Sequence, residues 1–292
     1  MCDWLAVGDE TGNWDTLRHP NVFLGVALVM GRIEDWRAAL QEVIDGQRIE
    51  DRLQAPIRAL PPAYRHSPNH HLKDAFDYWN ERPSAGDGSL ADPGTDPLRQ
   101  EVFATLRWLA EHPRLITLGL WGRGAALKPA LFRSDDPAVA LGQAYALLVG
   151  QVLPFLTPAD RLLVQPGLRS EPTDLLAQQR ARVASDPNDA EARRHGHLRG
   201  TLSALIDAGQ RYRHAWRGDP IGQFDAGALT YHRQQYPSLG STWLPNNALN
   251  AIADLGAGLL RLTCQPGTTS LGLRRERTWA NVVFQSLEEI TS

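Results

Sequence analysis

The apolar positions of this chain fall into two kinds of run, and their order outlines the fold. Trp4 to Asp9 (WLAVGD) reads as a strand that gives way to a turn-like stretch over Glu10-Thr-Gly-Asn13. Asn21 to Met30 (NVFLGVALVM) is a longer, β-branched run of the kind buried on both faces. A helix is predicted over Ile33 to Asp45, where Trp36, Leu40 and Val43 recur at helical spacing. Further along, a helix over Leu98 to Glu111 leads into a strand at Leu115 to Trp121, and a helix over Pro137 to Phe155 leads into a short strand at Arg161 to Gln165. This alternation predicts a layered α/β domain.

Between these elements the pattern weakens. Residues 46 to 82 are irregular, with Pro61-Pro62 and a histidine cluster, and Pro83 to Pro97 has the Gly, Asp and Pro content of an exposed loop. Residues 174 to 217 are polar and rich in arginine and alanine, with Asp186-Pro187-Asn188 as a break. They are predicted to form two helices, an insertion or cap within a single domain spanning residues 1 to 292. A strand at Gly222 to Tyr231 and a helix at Asn246 to Leu262 complete the pattern, and no internal repeat occurs.

Composition narrows the class without naming an activity. With 292 residues, 42% hydrophobic and 22% charged, the chain can bury a full core. No apolar run reaches the roughly 18 residues of a membrane span, and Met1-Cys2-Asp3-Trp4 does not begin a secretory signal. Cys2 and Cys264 form neither a disulfide framework nor a zinc spacing, which fits a reducing cytoplasm. The net charge of −3 does not mark a nucleic-acid binder, yet a nuclease needs only a local basic groove beside acidic residues. Lysine occurs only at Lys73 and Lys128, so the cationic side chains are nearly all arginine, the pattern of a GC-rich genome as much as of phosphate recognition.

The residues that could carry chemistry are acidic. Asp9-Glu10 lies where the first strand is predicted to end, between Gly8 and Gly12. Such a carboxylate can meet a metal and a phosphate close to backbone, or it can close an Asx-type turn. Asp254 sits on the late apolar helix among Asn250, Ala251, Ala257 and Gly258, so it needs either a hydrogen-bonding partner or a metal. His66, His70 and His71 include one spacing of four that suits zinc on a helix, though the nearby prolines favour a loop. His195 and His197, with Arg193, Arg194 and Arg199, form either a solvated helix face or a phosphate-contacting patch. Gly122-Arg-Gly124 follows a strand but lacks the third glycine of a dinucleotide fingerprint, and no P-loop or nucleophile elbow is present.

Three segments, in order, resemble a known family. The opening Val7-Gly-Asp-Glu-Thr-Gly-Asn13 with the strand and Trp36 helix after it, the middle His71-Leu-Lys-Asp74, and the late Ala251-Ile-Ala-Asp-Leu-Gly-Ala-Gly258 are similar to the domain-of-unknown-function family 3800 of the ribonuclease H-like superfamily. The resemblance implies a ribonuclease H-like mixed sheet flanked by helices, with Asp9 on the central first strand and Asp254 on the closing helix. It further implies that these carboxylates hold Mg²⁺ or Mn²⁺ for phosphodiester hydrolysis. Glu10, its neighbour on a strand, is expected on the opposite face unless the strand has ended. Thr11 replaces the family's serine, His71 replaces a common glutamate, and Gln165 stands where an aspartate is frequent. Glu171 or Asp174 could supply the missing charge, and Lys73 would lie near the phosphate.

Two functions follow as expectations. One is a metal-dependent nuclease acting on RNA or DNA in a defence or mobile-element setting, with Arg193, Arg194 and Arg199 as nucleic-acid contacts. The other is a catalytically weakened member that binds nucleic acid or protein, as a subunit beside a partner chain or another copy of itself. Gln165 favours the second; Asp9 and Asp254 favour the first.

Overall fold

The structure is a computed structural model, and it describes residues 3–12, 14, 19–44, 46–49, 52, 59–64, 72, 96–124, 140, 144, 145, 147, 148, 151, 161–165, 246–265 and 281–290. Its frame is a five-stranded mixed sheet flanked by helices, an α/β arrangement. The strands are β1 (Asp3–Gly12), β2 (Phe23–Arg32), β5 (Ile116–Arg123), β6 (Arg161–Gln165) and β7 (Val282–Ser286), in the order β6-β1-β2-β5-β7. β2 is antiparallel to both β1 and β5, whereas β6 runs parallel to β1 and β7 parallel to β5. β1 is thus an interior strand, and the central place belongs to β2. β2 is buried from Phe23 to Gly31, as expected of a β-branched run covered on both faces.

Three helices close one face of the sheet. α1 (Ile33–Gln41) buries Ile33, Trp36, Ala39 and Leu40, and the Trp36 indole N–H donates to the Leu5 carbonyl at 3.0 Å. α2 (Pro97–Glu111) starts cleanly because Asp96 accepts from the backbone N–H groups of Leu98 and Arg99, with Pro97 in the first turn. α3 (Asn246–Cys264) packs against β1, β2 and α2. Leu5, Val7 and Val29 of the sheet share one core with Trp36, with Phe103, Leu106 and Leu109 of α2, and with Ile252, Leu255 and Leu259 of α3. On the opposite face, Leu28 and Tyr145 press on Gly8, where a Cβ would lie 2.8 Å from the Tyr145 ring.

Several elements differ from expectation. β1 does not end at Asp9. Glu10, Thr11 and Gly12 continue the ladder opposite Val26, Gly25 and Leu24, because pairing with a long central strand outweighs their turn preference. The strand stops at Gly12, which has a φ of 88° and lies so close to the Phe23 carbonyl that no side chain would fit. α1 ends at Gln41, since Val43–Ile44 (β3) pairs with Gln47–Arg48 (β4) in a small hairpin with Gly46 at a φ of 81°. Asn246 to Leu262 is helical as expected and runs on to Cys264, while β7 and the short α4 (Leu287–Ile290) have no counterpart in the pattern of the sequence. The expected insertion at 174–217, the expected strand at 222–231 and residues 83–95 of the loop expected over 83–97 lie outside the described residues, while Asp96 and Pro97 cap and begin α2. No helix among the described residues is long and apolar enough to cross a membrane.

A polar knot joins the sheet to the ends of α1 and α2. His112, buried at 2% exposure, accepts at Nδ1 from the backbone N–H groups of Arg114 and Leu115, so its proton resides on Nε2, which donates to Glu42 at 2.9 Å. Glu42 also accepts from the Trp108 indole, and the His112 carbonyl accepts from the Asn281 side chain beside β7. Neither ring nitrogen is left for a substrate, so this histidine–carboxylate pair is structural. His112→Ala should cost about 2–4 kcal/mol, because it strands two backbone donors, takes a partner from Glu42 and leaves a cavity where a buried ring stood. Urea unfolding checks this; a loss below about 0.5 kcal/mol, the level of an ordinary surface change, would contradict it.

Candidate carboxylate site

Residues two apart on a strand share a face, so Asp9 follows Leu5 and Val7 onto the side covered by α3. Its cross-strand partner is Ala27, which packs against Ala257 and Leu260 of α3. The same helix carries Asp254, half-buried, whose Oδ2 accepts the Leu72 backbone N–H at 2.5 Å. Leu72 itself is buried, and its amide meets α3 at this carboxylate. The partner that a semi-buried aspartate requires is therefore at least in part this amide.

The electrostatics tie Asp9 to its neighbours. Burial pushes the Asp9 carboxyl well above the usual carboxylate range; the negative charge of Glu10 adds to this, and so does that of Asp254. A side-chain hydrogen bond with Glu10 acts in the same direction, and only the Glu10 backbone N–H, donating to Oδ1 at 3.0 Å, opposes it. Asp9 and Asp254, remote in sequence, are near enough for their charges to interact. Glu10 lies within the strand, where alternation assigns its Cβ to the face opposite Asp9, and its negative charge still opposes ionisation of Asp9. The turn reading of Asp9 is not met: its Oδ1 accepts from the adjacent Glu10 N–H, not from the residue two on, and the backbone stays in the sheet to Gly12.

This donor set suits a hard divalent cation in chemistry, because it consists of carboxylate oxygens whose mutual repulsion a cation would relieve. In number it is small. Among the described residues no group of three or more His, Cys, Asp or Glu side chains is arranged to hold a metal ion. Gln165 lies on β6 opposite Val7, two residues short of Asp9, so the position at which the resemblance expects an aspartate adjoins the Asp9 end of β1. Lys73, Glu171, Asp174, His66, His70, His71, Arg193, Arg194 and Arg199 lie outside the described residues. The Glu42–His112 pair had no signal in the sequence, being two isolated residues that meet only through the fold. No family model matches the chain, and no curated protein or solved structure shows significant similarity to it.

Proposed function

We propose that the chain is a metal-dependent nuclease of ribonuclease H-like fold, hydrolysing phosphodiester bonds in RNA or DNA at Asp9 and Asp254. The observation that carries this reading is the Asp9 carboxyl on the face of β1 that α3 covers, its ionisation opposed by burial and by the charges of Glu10 and Asp254. A carboxyl set against its own ionisation in this way marks sites that serve a ligand more often than it marks ordinary surface positions. Asp9 and Asp254 would hold Mg²⁺ or Mn²⁺, with Glu10 adjacent and Glu171 or Asp174 completing the set. Such an ion, when bound, activates water and stabilises the leaving oxygen of a phosphodiester. The protein's share is to place Asp9 on a rigid interior strand and Asp254 on a helix packed against it. Lys73, next to the Leu72 amide that orients Asp254, would approach the phosphate.

A second reading, a catalytically weakened subunit that binds nucleic acid or protein, is favoured by the small donor set among the described residues. Cleavage of labelled RNA and DNA oligonucleotides, single- and double-stranded, separates the two. Turnover that requires Mg²⁺ or Mn²⁺ and stops with chelator supports the nuclease. Tight binding without turnover in either metal supports the subunit.

Nucleic-acid recognition by the arginine-rich segment has its own test. Replacing Arg193 and Arg194 with alanine should weaken binding and flatten its log–log salt slope by about 1 for each phosphate no longer neutralised. Unchanged affinity and slope across a salt series would exclude that pair from the interface.

A further inference from the structure

Gly256 lies two residues beyond Asp254, at the point where α3 comes down on the sheet. A Cβ built there would stand 2.8 Å from Val29 Cγ2, closer than real Cβ atoms come, whereas Ala27 Cβ at 3.8 Å and Thr117 Cγ2 at 3.9 Å are in ordinary contact. Val29 cannot easily yield, because a β-branched side chain has few rotamers and this one is fully buried. One helical turn further, Leu260 fills a socket whose floor is glycine on both β2 and β5: a Cβ at Gly25 or at Gly119 would each lie 2.8 Å from a Leu260 methyl. Ala27, the cross-strand partner of Asp9, sits between these contacts. The closeness of α3 to β1 and β2 therefore depends on the missing side chain at Gly256, and α3 is what brings Asp254 to Asp9.

We propose that Gly256 is a positioning residue, whose lack of a side chain sets the separation of the Asp9 and Asp254 carboxylates. The inference rests on these two residues acting together, as in the proposed function, but not on nuclease activity. A methyl at this position lifts α3 from Val29 and carries Asp254 away from Asp9. Because the obstruction is Val29 Cγ2, truncating Val29 to alanine, which removes it together with Cγ1, should undo the effect.

The test is a double-mutant cycle of Asp9→Asn and Asp254→Asn, read by urea unfolding at pH 7 in chelator. It is run in the native background, in Gly256→Ala, and in Gly256→Ala with Val29→Ala. General effects on helix propensity and core packing are common to every corner of a cycle and cancel. Coupling between the two aspartates is expected in the native background, largely abolished in Gly256→Ala, and restored by Val29→Ala. Should Gly256→Ala alone not fold, the comparison is made between Val29→Ala/Gly256→Ala, with coupling, and Val29→Ala/Gly256→Val, without it. Equal coupling in all backgrounds, or a loss that Val29→Ala does not restore, would overturn the proposal. Mn²⁺ affinity, followed by electron paramagnetic resonance, should weaken about tenfold in Gly256→Ala, the scale on which outer partners tune metal sites. If the native protein binds no Mn²⁺, the nuclease reading fails, while the cycle still decides the role of Gly256.

Discussion

Asp9→Asn is expected to reduce divalent-dependent cleavage about a hundredfold or more, a loss that even outer partners of a metal can produce. The amide keeps the shape of the side chain and can still accept the Glu10 N–H, so the strand and its register are retained. What disappears is the negative charge at the centre of the carboxylate group. Asp254→Asn should lose activity on a similar scale, since its Oδ2 is held by the Leu72 amide and an asparagine oxygen can accept the same bond. Combining the two should cost little more than either alone, because residues that act as a unit are not additive. The check is kcat/KM on a labelled oligonucleotide, with native and variant proteins purified in parallel. Undiminished cleavage by Asp9→Asn would assign the activity elsewhere.

The same substitution should make the protein more stable at neutral pH without metal. The folded-state pKa of Asp9 is raised by burial, then by the charges of Glu10 and Asp254. A carboxyl with a raised folded value binds its proton more tightly in the native state than in the unfolded chain, where it titrates near 3.9. Its contribution to stability is thus fully present below the unfolded value and is lost as pH climbs through the folded one. Asn cannot titrate and escapes this loss. The stability advantage of Asp9→Asn over the native protein should therefore be least below about pH 4 and widen as pH rises above it. A domain of this size shifts by about 2–4 °C in Tm per kcal/mol, so a gain of a few degrees at pH 7 is expected. Mg²⁺ or Mn²⁺ should narrow the gap, because an ion that binds only the native site stabilises only the protein that has it. Thermal unfolding between pH 3 and pH 8, with chelator and with metal, follows both effects. A variant that is less stable at pH 7 in chelator would mean that Asp9 serves the fold.

The frame of this protein was largely legible, because its main elements have strong periods. β2 shows as one long apolar run, α1 as helical spacing around Trp36, α2 as the helix expected over Leu98 to Glu111, and α3 as the helix that carries Asp254. Boundaries were not legible where tertiary pairing decides. Glu10 to Gly12 have the composition of a turn, and only the presence of Leu24 to Val26 beside them makes them strand. Val43 and Ile44 fit the apolar face of a longer α1, yet they pair with Gln47 and Arg48 and free Glu42 for His112 and Trp108. β7 is a five-residue strand whose place is set by parallel pairing to β5, which no local pattern encodes.

For the site, the sequence could nominate Asp9 and Asp254 by residue type and by the elements around them. That the two charges interact follows from α3 lying on β1 and β2, a long-range contact invisible to any window of residues. That the charge of Glu10 acts on Asp9 is compatible with strand alternation, since alternation fixes where a Cβ points and adjacent residues stay close whichever face they take. The Leu72 amide could not have been found, because a backbone donor leaves no mark in a sequence.

On the proposed function Asp9 and Asp254 share one divalent cation, and anomalous diffraction from crystals soaked in Mn²⁺ would reveal it. A manganese peak is expected within ligand distance of a carboxylate oxygen of both residues, roughly 2.0–2.6 Å for hard cations on oxygen, and no such peak in Asp9→Asn. Well-ordered carboxylates with no peak between them at saturating Mn²⁺ would contradict it.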